Sequence, residues 1–249
     1  MMKQWVMAGA LMGAMPMVAS ADFIGLFIGG GVWDHDVSGS AAYQGDDLDV
    51  ASDLALGSNQ DSYLWLALEH PVPLLPNVRV FRLDLSMDGN TTVTSSFRFG
   101  GQNYDVGEEI SSITSLDQVG GIFYYELLDN VLSFDLGLDI RNVKGDATVT
   151  SITTGVTESA TFDVFLPMLF ARAQVDLPFT GLSVGAEGSM VGYGGSTLSD
   201  VRGWVAWESP FRVGAELGYR SYRLELDDVD DVTADLTTDG PYAALFVHF

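Results

Sequence analysis

Apolar and polar residues alternate with a period of two along most of this chain, up to its last residue, Phe249. The alternation is regular in residues 79–87, 132–140 and 212–219, and segments with helical spacing are nearly absent. Successive side chains of a strand point to opposite faces of its sheet, so this period predicts β-strands. The sequence therefore predicts an all-β fold.

The composition of the two strand faces separates a membrane barrel from a soluble one. In residues 132–140 the apolar face is opposed by Asp135, Gly137 and Asp139. Because glycine and charged residues would line an apolar cavity poorly, we place this face in the lumen of a barrel whose outside is apolar. The prediction is a single antiparallel transmembrane β-barrel. A soluble exported β-protein also alternates and is the alternative.

Strands of ~9 to 11 residues, joined by short turns at one end and long segments at the other, give about ten strands. Eight or twelve fit if parts of the long segments, such as 91–99 and 102–111, pair within the membrane. The predicted strands are residues 23–33, 61–71, 78–87, 117–127, 131–141, 164–177, 182–193, 200–207, 212–223 and 241–249. The long segments, which would be acidic extracellular loops, are residues 34–60, 88–116, 142–163, 194–199 and 224–240. An even strand number places both termini beside the short turns, on the periplasmic side.

The amino terminus has the layout of a secretory signal peptide. Lys3 precedes an apolar run at 5–18, and small residues at 19–21 form a cleavage site. We therefore predict a signal peptide at 1–21 and one barrel domain at 22–249.

Charge and cysteine content exclude several kinds of partner and chemistry. The formal net charge is −23, and loss of Lys3 with the signal peptide makes the processed chain −24. Phosphate-rich partners are repelled by this charge, so we expect no nucleic acid as a partner. The chain has no cysteine, which excludes disulfides, thiol chemistry and cysteine-bound metal.

Aromatic residues near the strand ends predict two belts at the membrane interfaces. The belt near the long segments comprises Trp33, Tyr63, Tyr193 and Tyr222. The belt near the short turns comprises Phe23, Tyr125, Phe179, Trp207 and Phe249.

The last strand has apolar residues at alternate positions before a terminal aromatic residue: Ala243, Leu245, Val247 and Phe249. In this the chain resembles bacterial outer-membrane β-barrels, whose last strand carries an assembly signal of this form. The segment LPFTGLSVGAEGSM and the last 34 residues, which begin ELGYRSYR, look more narrowly like a gammaproteobacterial family of small barrels of the OmpA/OmpW-like type. Val247 departs from the pattern, because many terminal strands have tyrosine there.

That resemblance implies a location rather than an activity. It implies the bacterial outer membrane, insertion by the barrel assembly machinery, and contact with outer-membrane lipid and lipopolysaccharide.

Inward-facing charges in a narrow ten-stranded lumen need partners, because an unpaired charge there is costly. A belt of charges with alternating sign lies at one height on neighbouring strands: Asp135, Arg172, Glu187, Arg202 and Glu216. A second layer comprises Arg82, Asp84, Asp139, Arg141 and Arg220. These residues would form either a selectivity ring for a small solute or a salt-bridged plug, and we favour the plug.

Two acidic segments are weak candidates for a metal site. One contains Asp227, Asp228, Asp230 and Asp231, and the other spans 46–53. Carboxylates are the ligands that Ca²⁺ and Mg²⁺ prefer, but the spacing of an EF-hand is absent. We favour a solvated acidic surface, with loosely bound Ca²⁺ or Mg²⁺ as the alternative and no other cofactor.

The histidines give little support for an enzyme. His35 lies between two aspartates near the outer rim, where an Asp–His pair could activate water. His70 and His248 lie near the turn side, and no hydrolase motif accompanies any of the three. We therefore predict a protein without enzymatic activity that has a structural or narrow-pore role in the Gram-negative envelope. A surface receptor or adhesin acting through the acidic loops is the alternative, and an outer-membrane hydrolase is less favoured.

Overall fold

The structure is a computed structural model that describes residues 24–72 and 74–249. The predicted signal peptide at 1–21 and the belt residue Phe23 lie outside the described residues. The described part forms thirteen strands: β1 (Gly25–Tyr43), β2 (Leu48–Asp49), β3 (Asn59–Glu69), β4 (Asn77–Thr92), β5 (Phe97–Phe99), β6 (Gln102–Tyr104), β7 (Glu109–Asp129), β8 (Leu132–Ser151), β9 (Thr157–Leu177), β10 (Leu182–Tyr193), β11 (Ser196–Glu208), β12 (Val213–Val229) and β13 (Val232–His248). No helix in this part is long and apolar enough to span a membrane.

Ten of the strands form one closed antiparallel barrel. Its order is β1, β3, β4 and then β7 to β13, and β13 pairs back with β1 from His248 opposite Phe27 to Val232 opposite Tyr43. The short strand β2 pairs with β1. Strands β5 and β6 form a separate hairpin that is not part of the barrel wall. The predicted ten-stranded antiparallel barrel is confirmed.

The strands extend further on the extracellular side than the sequence predicts. β1, β8 and β12 end at Tyr43, Ser151 and Val229, deep inside the segments predicted as loops. The segment 194–199 shrinks to a turn at Gly194 and Gly195, and 224–240 is mostly a β-hairpin. Alternation continues in these parts, but the residues on the outer face are polar instead of apolar. The sequence pattern of a lipid-facing strand therefore ends before the strand itself ends.

The lower outer face of the barrel is apolar, and a row of charges lies above it. Exposed apolar side chains of the lower face include Ile28, Leu64, Val80, Val119, Leu136, Leu169, Val184, Val205, Leu217 and Leu245. The outer charge row consists of Asp84, Asp117, Lys144 and Asp163, which lie directly opposite one another on β4, β7, β8 and β9. A lysine facing lipid at the membrane centre costs about 2–4 kcal/mol. The row therefore marks the upper limit of the band that can face lipid on this side of the barrel.

Two residues predicted for the lumen are on the outer face instead. Arg82 Nε donates to both carboxylate oxygens of Asp84, at 3.0 and 2.7 Å, and both side chains are largely exposed. The lumen assignment of Arg82 and Asp84 was wrong, because β4 turns its apolar face inward at this height. Leu83 and Leu85 are fully buried there.

One of the two predicted aromatic belts agrees with the structure, and the other largely does not. Of the belt predicted near the long segments, Tyr193 is exposed, but Trp33, Tyr63 and Tyr222 are buried in the barrel interior, so that prediction was wrong for three of its four residues. They lie on the inward positions of their strands, and Arg220 lies over the rings of Trp33 and Tyr63. Tyr125, Phe179, Trp207 and Phe249 are exposed near the periplasmic turns, as predicted.

Glycines and aromatic residues fill the lumen together. Eight inward-facing glycines of the described strands lie directly opposite an aromatic residue on a neighbouring strand: Gly29 and Trp65, Gly31 and Tyr63, Gly120 and Phe81, Gly137 and Tyr124, Gly145 and Phe162, Gly185 and Trp204, Gly214 and Phe246, Gly218 and Tyr242. A Cβ atom on Gly185 would lie 2.4 Å from the indole of Trp204. In most of these pairs the ring therefore occupies the space that a side chain on the glycine would need.

The extracellular half of the barrel is closed by an apolar core. Segment 44–58, which we call the roof loop, places Leu48, Val50, Leu54 and Leu56 in this core. The β5–β6 hairpin packs beside it, and Tyr104 of that hairpin donates a hydrogen bond from its hydroxyl to the carbonyl of Val149 at 3.0 Å.

The roof loop also fills a seam in the barrel wall. Pairing of β3 with β4 ends at Tyr63 opposite Leu83, whereas β4 continues beside β7 up to Thr92. Above that point, Asn59 and Asp61 bind the backbone of Ser86 through their side chains. Further up the strand, the loop backbone at Leu54 and Ala55 lies against Gly89 of β4.

Candidate functional site

Two clusters of buried charges cross the lumen. In the upper cluster, Arg141 donates from Nη2 to Asp139 Oδ2 at 2.6 Å and from Nη1 to Asp200 Oδ2 at 2.8 Å. Arg220 binds both carboxylate oxygens of Asp200, at 2.8 and 2.6 Å. The Asp139 carboxylate also accepts from the hydroxyl of Ser189 at 2.7 Å. The positive charges of the two arginines therefore balance the negative charges of the two aspartates.

The lower cluster lies nearer the periplasm and is built around Glu187. Arg79 Nη1 reaches its two oxygens at 3.0 and 2.8 Å, and Arg202 Nε reaches Oε1 at 2.8 Å. Arg202 Nη1 also lies 3.5 Å from Glu216 Oε1, and Glu216 accepts a short hydrogen bond from Tyr242. This cluster is balanced as well, with two arginines and two glutamates.

Aromatic rings cover the guanidinium groups of both clusters. Arg220 lies 4.9 Å from the ring centre of Trp33, and Arg141 lies 4.8 Å from that of Phe81. Arg202 lies 5.5 Å from the ring of Trp204. A cation over an aromatic face is attracted to it, and the attraction grows when water is excluded. The rings therefore stabilise the arginines and shield one face of each guanidinium group.

The structure brings most of the predicted charge belt into contact. Glu187, Arg202 and Glu216 form a connected chain in the lower cluster. Arg172 and Asp135 lie beside it but are 4.0 Å apart, and Arg172 instead donates to Gln174 at 2.8 Å. Asp139, Arg141 and Arg220, predicted for a second layer, are joined through Asp200 in the upper cluster.

Sequence reasoning missed three members of these clusters. Arg79 has the same phase as the apolar residues of its strand, so the alternation predicts that it faces lipid, whereas it faces the lumen. Asp200 is the first residue of a predicted strand and lies two positions from Arg202, on the same inward face. Tyr242 faces the lumen, and nothing in the sequence indicates its contact with Glu216.

The clusters separate three cavities. Below the lower cluster lies a polar vestibule of about 840 Å³ on the periplasmic side, whose walls include Glu126, Asp129 and Asp176. A space of about 50 Å³ lies between the clusters. Above the upper cluster is an apolar cavity of about 70 Å³ beneath the roof loop. Asp139 and Arg141 are at most 2% exposed, so these two charges are almost completely shielded from solvent.

The histidines occupy structural positions. His35 is 1% exposed and its Nε2 lies 2.9 Å from Asp61 Oδ2, whereas the neighbouring Asp34 and Asp36 point outward. His248 stacks on Phe27 with ring centres 4.0 Å apart. The Asp–His pair therefore exists, but Asp61 is the aspartate in it and the imidazole is out of reach of a substrate.

The metal candidates do not converge. Asp227, Asp228, Asp230 and Asp231 lie around the β12–β13 turn, where Asp231 accepts a hydrogen bond from Gln44 at 2.8 Å. Within the described residues, no three carboxylate or imidazole side chains are grouped so that they could hold a metal ion.

In the other acidic segment, Asp49 closes a tight turn. Its carboxylate accepts hydrogen bonds from the backbone and side chain of Ser52 and from the backbone of Ala51, and these bonds lower its pKa. The carboxylate of Asp49 therefore stabilises this turn, which explains an acidic residue at this position.

Comparison with known proteins supports the fold. No protein-family model and no curated protein matches the chain. Among solved structures, the outer membrane protease OmpT from Escherichia coli is similar with a TM-score of 0.50 and 9% identity, over 92% of this chain and 98% of that one. The transport unit of the autotransporter AIDA-I from Escherichia coli gives 0.44 and 8% identity, over 94% and 91%. Ail of Yersinia pestis, crystallised with sucrose octasulfate, gives 0.38 and 12% identity, over 90% and 98%. At such identities the likeness concerns the fold, and the fold of this chain is that of an outer-membrane β-barrel.

Proposed function

We propose that this chain is a non-conducting outer-membrane barrel with a structural role in the envelope. The proposal rests on the ion pairs of Arg141. This nearly fully buried side chain bridges Asp139 and Asp200 across the lumen. A charge in a conducting pore is in contact with water and mobile ions. The charges here are instead paired with each other and covered by aromatic rings.

The extracellular half adds a second barrier. The apolar core under the roof loop contains Leu54, Leu116, Val149 and Leu226, all buried. Ions cross an apolar constriction only when it is wetted. Two barriers of different chemistry in series support a closed barrel rather than a narrow pore.

The position of His35 supports a non-enzymatic role. A general base must come within hydrogen-bonding distance of the proton that it removes. His35 is covered by Trp33 and by the barrel wall, so a substrate on the extracellular face cannot approach it.

Conductance measurements in planar bilayers test the proposal. We expect the refolded wild-type protein and Arg202→Ala to give no channel steps, because the upper cluster and the apolar core are intact in both. Steps in the wild-type protein with a conductance altered by Arg202→Ala would contradict the structural role and favour the selectivity ring.

A stability comparison tests the role of the upper cluster independently. Arg141→Ala leaves two buried aspartates without their shared partner, and breaking a buried ion pair costs about 3–5 kcal/mol. Arg82→Ala is the matched control, because it removes an arginine from an exposed pair worth about 0–1 kcal/mol. Unfolding by urea in detergent, followed by gel mobility and circular dichroism, gives both values. Equal losses in the two variants would show that the cluster has no special structural role.

A further inference from the structure

We propose that the apolar cavity beneath the roof loop is a binding site for a small apolar molecule that carries one hydrogen-bonding group. The cavity lies above the outer charge row, within the extracellular half of the barrel. It is separate from the charge clusters to which the structural role is assigned.

The chemistry of the wall favours an apolar occupant. Val37, Leu116, Val149, Phe162 and Leu226 contribute to a lining that is almost entirely apolar. A buried water molecule usually needs two to four polar partners, and apolar cavities without them stay dry. The volume of about 70 Å³ is several times the roughly 10–15 Å³ that one water requires. A small ring or a short chain would therefore fill the space better than water.

One buried hydroxyl group without a hydrogen-bonding partner indicates that the ligand carries a polar group. Ser112 faces inward on β7 at the cavity, is 1% exposed, and its hydroxyl has no hydrogen-bonding partner. Leaving such a group unsatisfied costs about 1–3 kcal/mol. A hydroxyl or carbonyl group on an otherwise apolar ligand would restore the missing bond, so Ser112 selects for such a group.

The roof loop provides the entrance. Val50, Leu54 and Leu56 form part of the cavity wall and belong to the loop that fills the seam above Tyr63 and Leu83. The loop is held to β1 by the two-residue pairing of β2 and by the hydrogen bond from Val50 N to the carbonyl of Gly39, at 3.0 Å. Its displacement would open the cavity to the outside without breaking a strand pair between β3 and β4, because the two strands are unpaired there. The upper charge cluster lies below the cavity without lining it and separates the site from the periplasmic side.

Fluorine NMR with two probes tests the site in the full chain refolded in detergent. The probes are 4-fluorophenol and fluorobenzene, which share a ring but differ in the hydroxyl. We expect a saturable bound signal for 4-fluorophenol with one site per chain, and weaker binding of fluorobenzene. A signal that rises without saturation, as partition into micelles would give, overturns the proposal.

Variants locate the bound probe. Ala234 lies on the cavity wall, and Ala234→Phe fills the cavity and should abolish the bound signal. Ala206→Phe adds the same ring to the periplasmic vestibule and should leave binding unchanged. Persistence of the signal in Ala234→Phe, or its loss only in Ala206→Phe, would place the probe elsewhere and overturn the assignment.

A conservative change tests the polar contact and serves if the filled variant does not fold. Ser112→Ala should weaken 4-fluorophenol about fivefold to tenfold, which corresponds to the loss of one hydrogen bond. Fluorobenzene, which has no hydroxyl, should bind as well as before. Equal affinity of 4-fluorophenol for both proteins would refute the role of Ser112.

Discussion

Pairs of glycine and aromatic residues solve a packing problem of the narrow lumen at the scale of single residues. Ten strands enclose little space, and a large side chain at every inward position would not fit. An aromatic ring that lies over a glycine uses the space of two positions for one side chain. Trp204, opposite Gly185, is held in this way beneath Arg172 and Arg202, with its ring 5.6 and 5.5 Å from their guanidinium carbons.

Adding one methyl group at such a glycine should destabilise the barrel. In Gly185→Ala the new Cβ would overlap the indole of Trp204 at 2.4 Å and lie 3.0 Å from the carbonyl of Ala173. We expect a loss of about 1–3 kcal/mol in the free energy of unfolding, as for other overpacked sites. The neighbouring Gly203→Ala is the control, because its Cβ would meet only the carbonyl of Gly185, at 3.6 Å. Urea unfolding in detergent should separate the two variants, and equal midpoints would contradict this account.

How much of the lumen could be predicted depends on the phase of each strand. On β8 the charged residues Asp135 and Asp139 alternate with long apolar ones, and the inward face was predicted correctly. On β4 both faces carry an arginine, so Arg79 and Arg82 are equivalent by pattern alone. Arg79 is the one that faces inward, because it pairs with Glu187, which lies across the lumen and is far away in the sequence. Contacts across the lumen, unlike those along a strand, leave no periodic trace in the sequence.

At the scale of the elements, the extracellular closure is made by two segments outside the barrel wall. The roof loop is tied to the β5–β6 hairpin, because Asp46 and Arg98 exchange hydrogen bonds through backbone and side chain. Tyr43 and Phe99 also pack with ring centres 5.5 Å apart. The sequence signalled strands here through alternation but could not show that these residues fold inward over the barrel mouth.

Docking of the hairpin should depend on the protonation of one tyrosine. Burial raises the pKa of Tyr104 to about 12, so the folded state favours the neutral hydroxyl over a tyrosine whose ordinary pKa is about 10. The stabilisation is complete below pH ~10 and is lost as the pH rises through about 12.

The variant Tyr104→Phe provides the reference for that prediction. Below pH ~10 it should be less stable than the wild type by about 1 kcal/mol, the usual worth of one hydrogen bond. Above the pKa of the folded state this difference should close and reverse, because the wild type must then bury a phenolate. Denaturation curves at pH 8 to 12 measure the difference, and a constant difference over that range would contradict the prediction.

At the scale of the whole molecule, the last strand closes the barrel against the first. Phe249 donates its backbone N–H to the carbonyl of Leu26 at 2.8 Å and accepts from Leu26 N–H at 3.3 Å. The terminal residue thus extends the seam between β13 and β1 to the periplasmic edge. Among the described residues, closure of this seam leaves no unpaired strand edge in the lower barrel, where lipid could not satisfy it.

Removal of the terminal residue should impair assembly in the cell. We expect a chain lacking Phe249 to reach the outer membrane at a clearly reduced level, measured by the heat-modifiable band in membrane fractions. Phe211→Ala is the control, because Phe211 is also an exposed aromatic residue at the periplasmic edge but belongs to a turn. Once refolded in detergent, the truncated protein should be nearly as stable as the wild type, since only two terminal hydrogen bonds are lost. Normal outer-membrane levels of the truncated protein would refute the assembly role.

The extension of the strands beyond the outer charge row has a further consequence for what the cell surface presents. β8 continues for seven residues from Lys144 to Ser151, which at about 3.3 Å per residue and a tilt of roughly 40° is a rise of about 15–20 Å. The hairpin tips therefore stand well above the band that can face lipid. A large particle, such as another cell, would meet these tips first, whereas small molecules could pass between them to the roof loop.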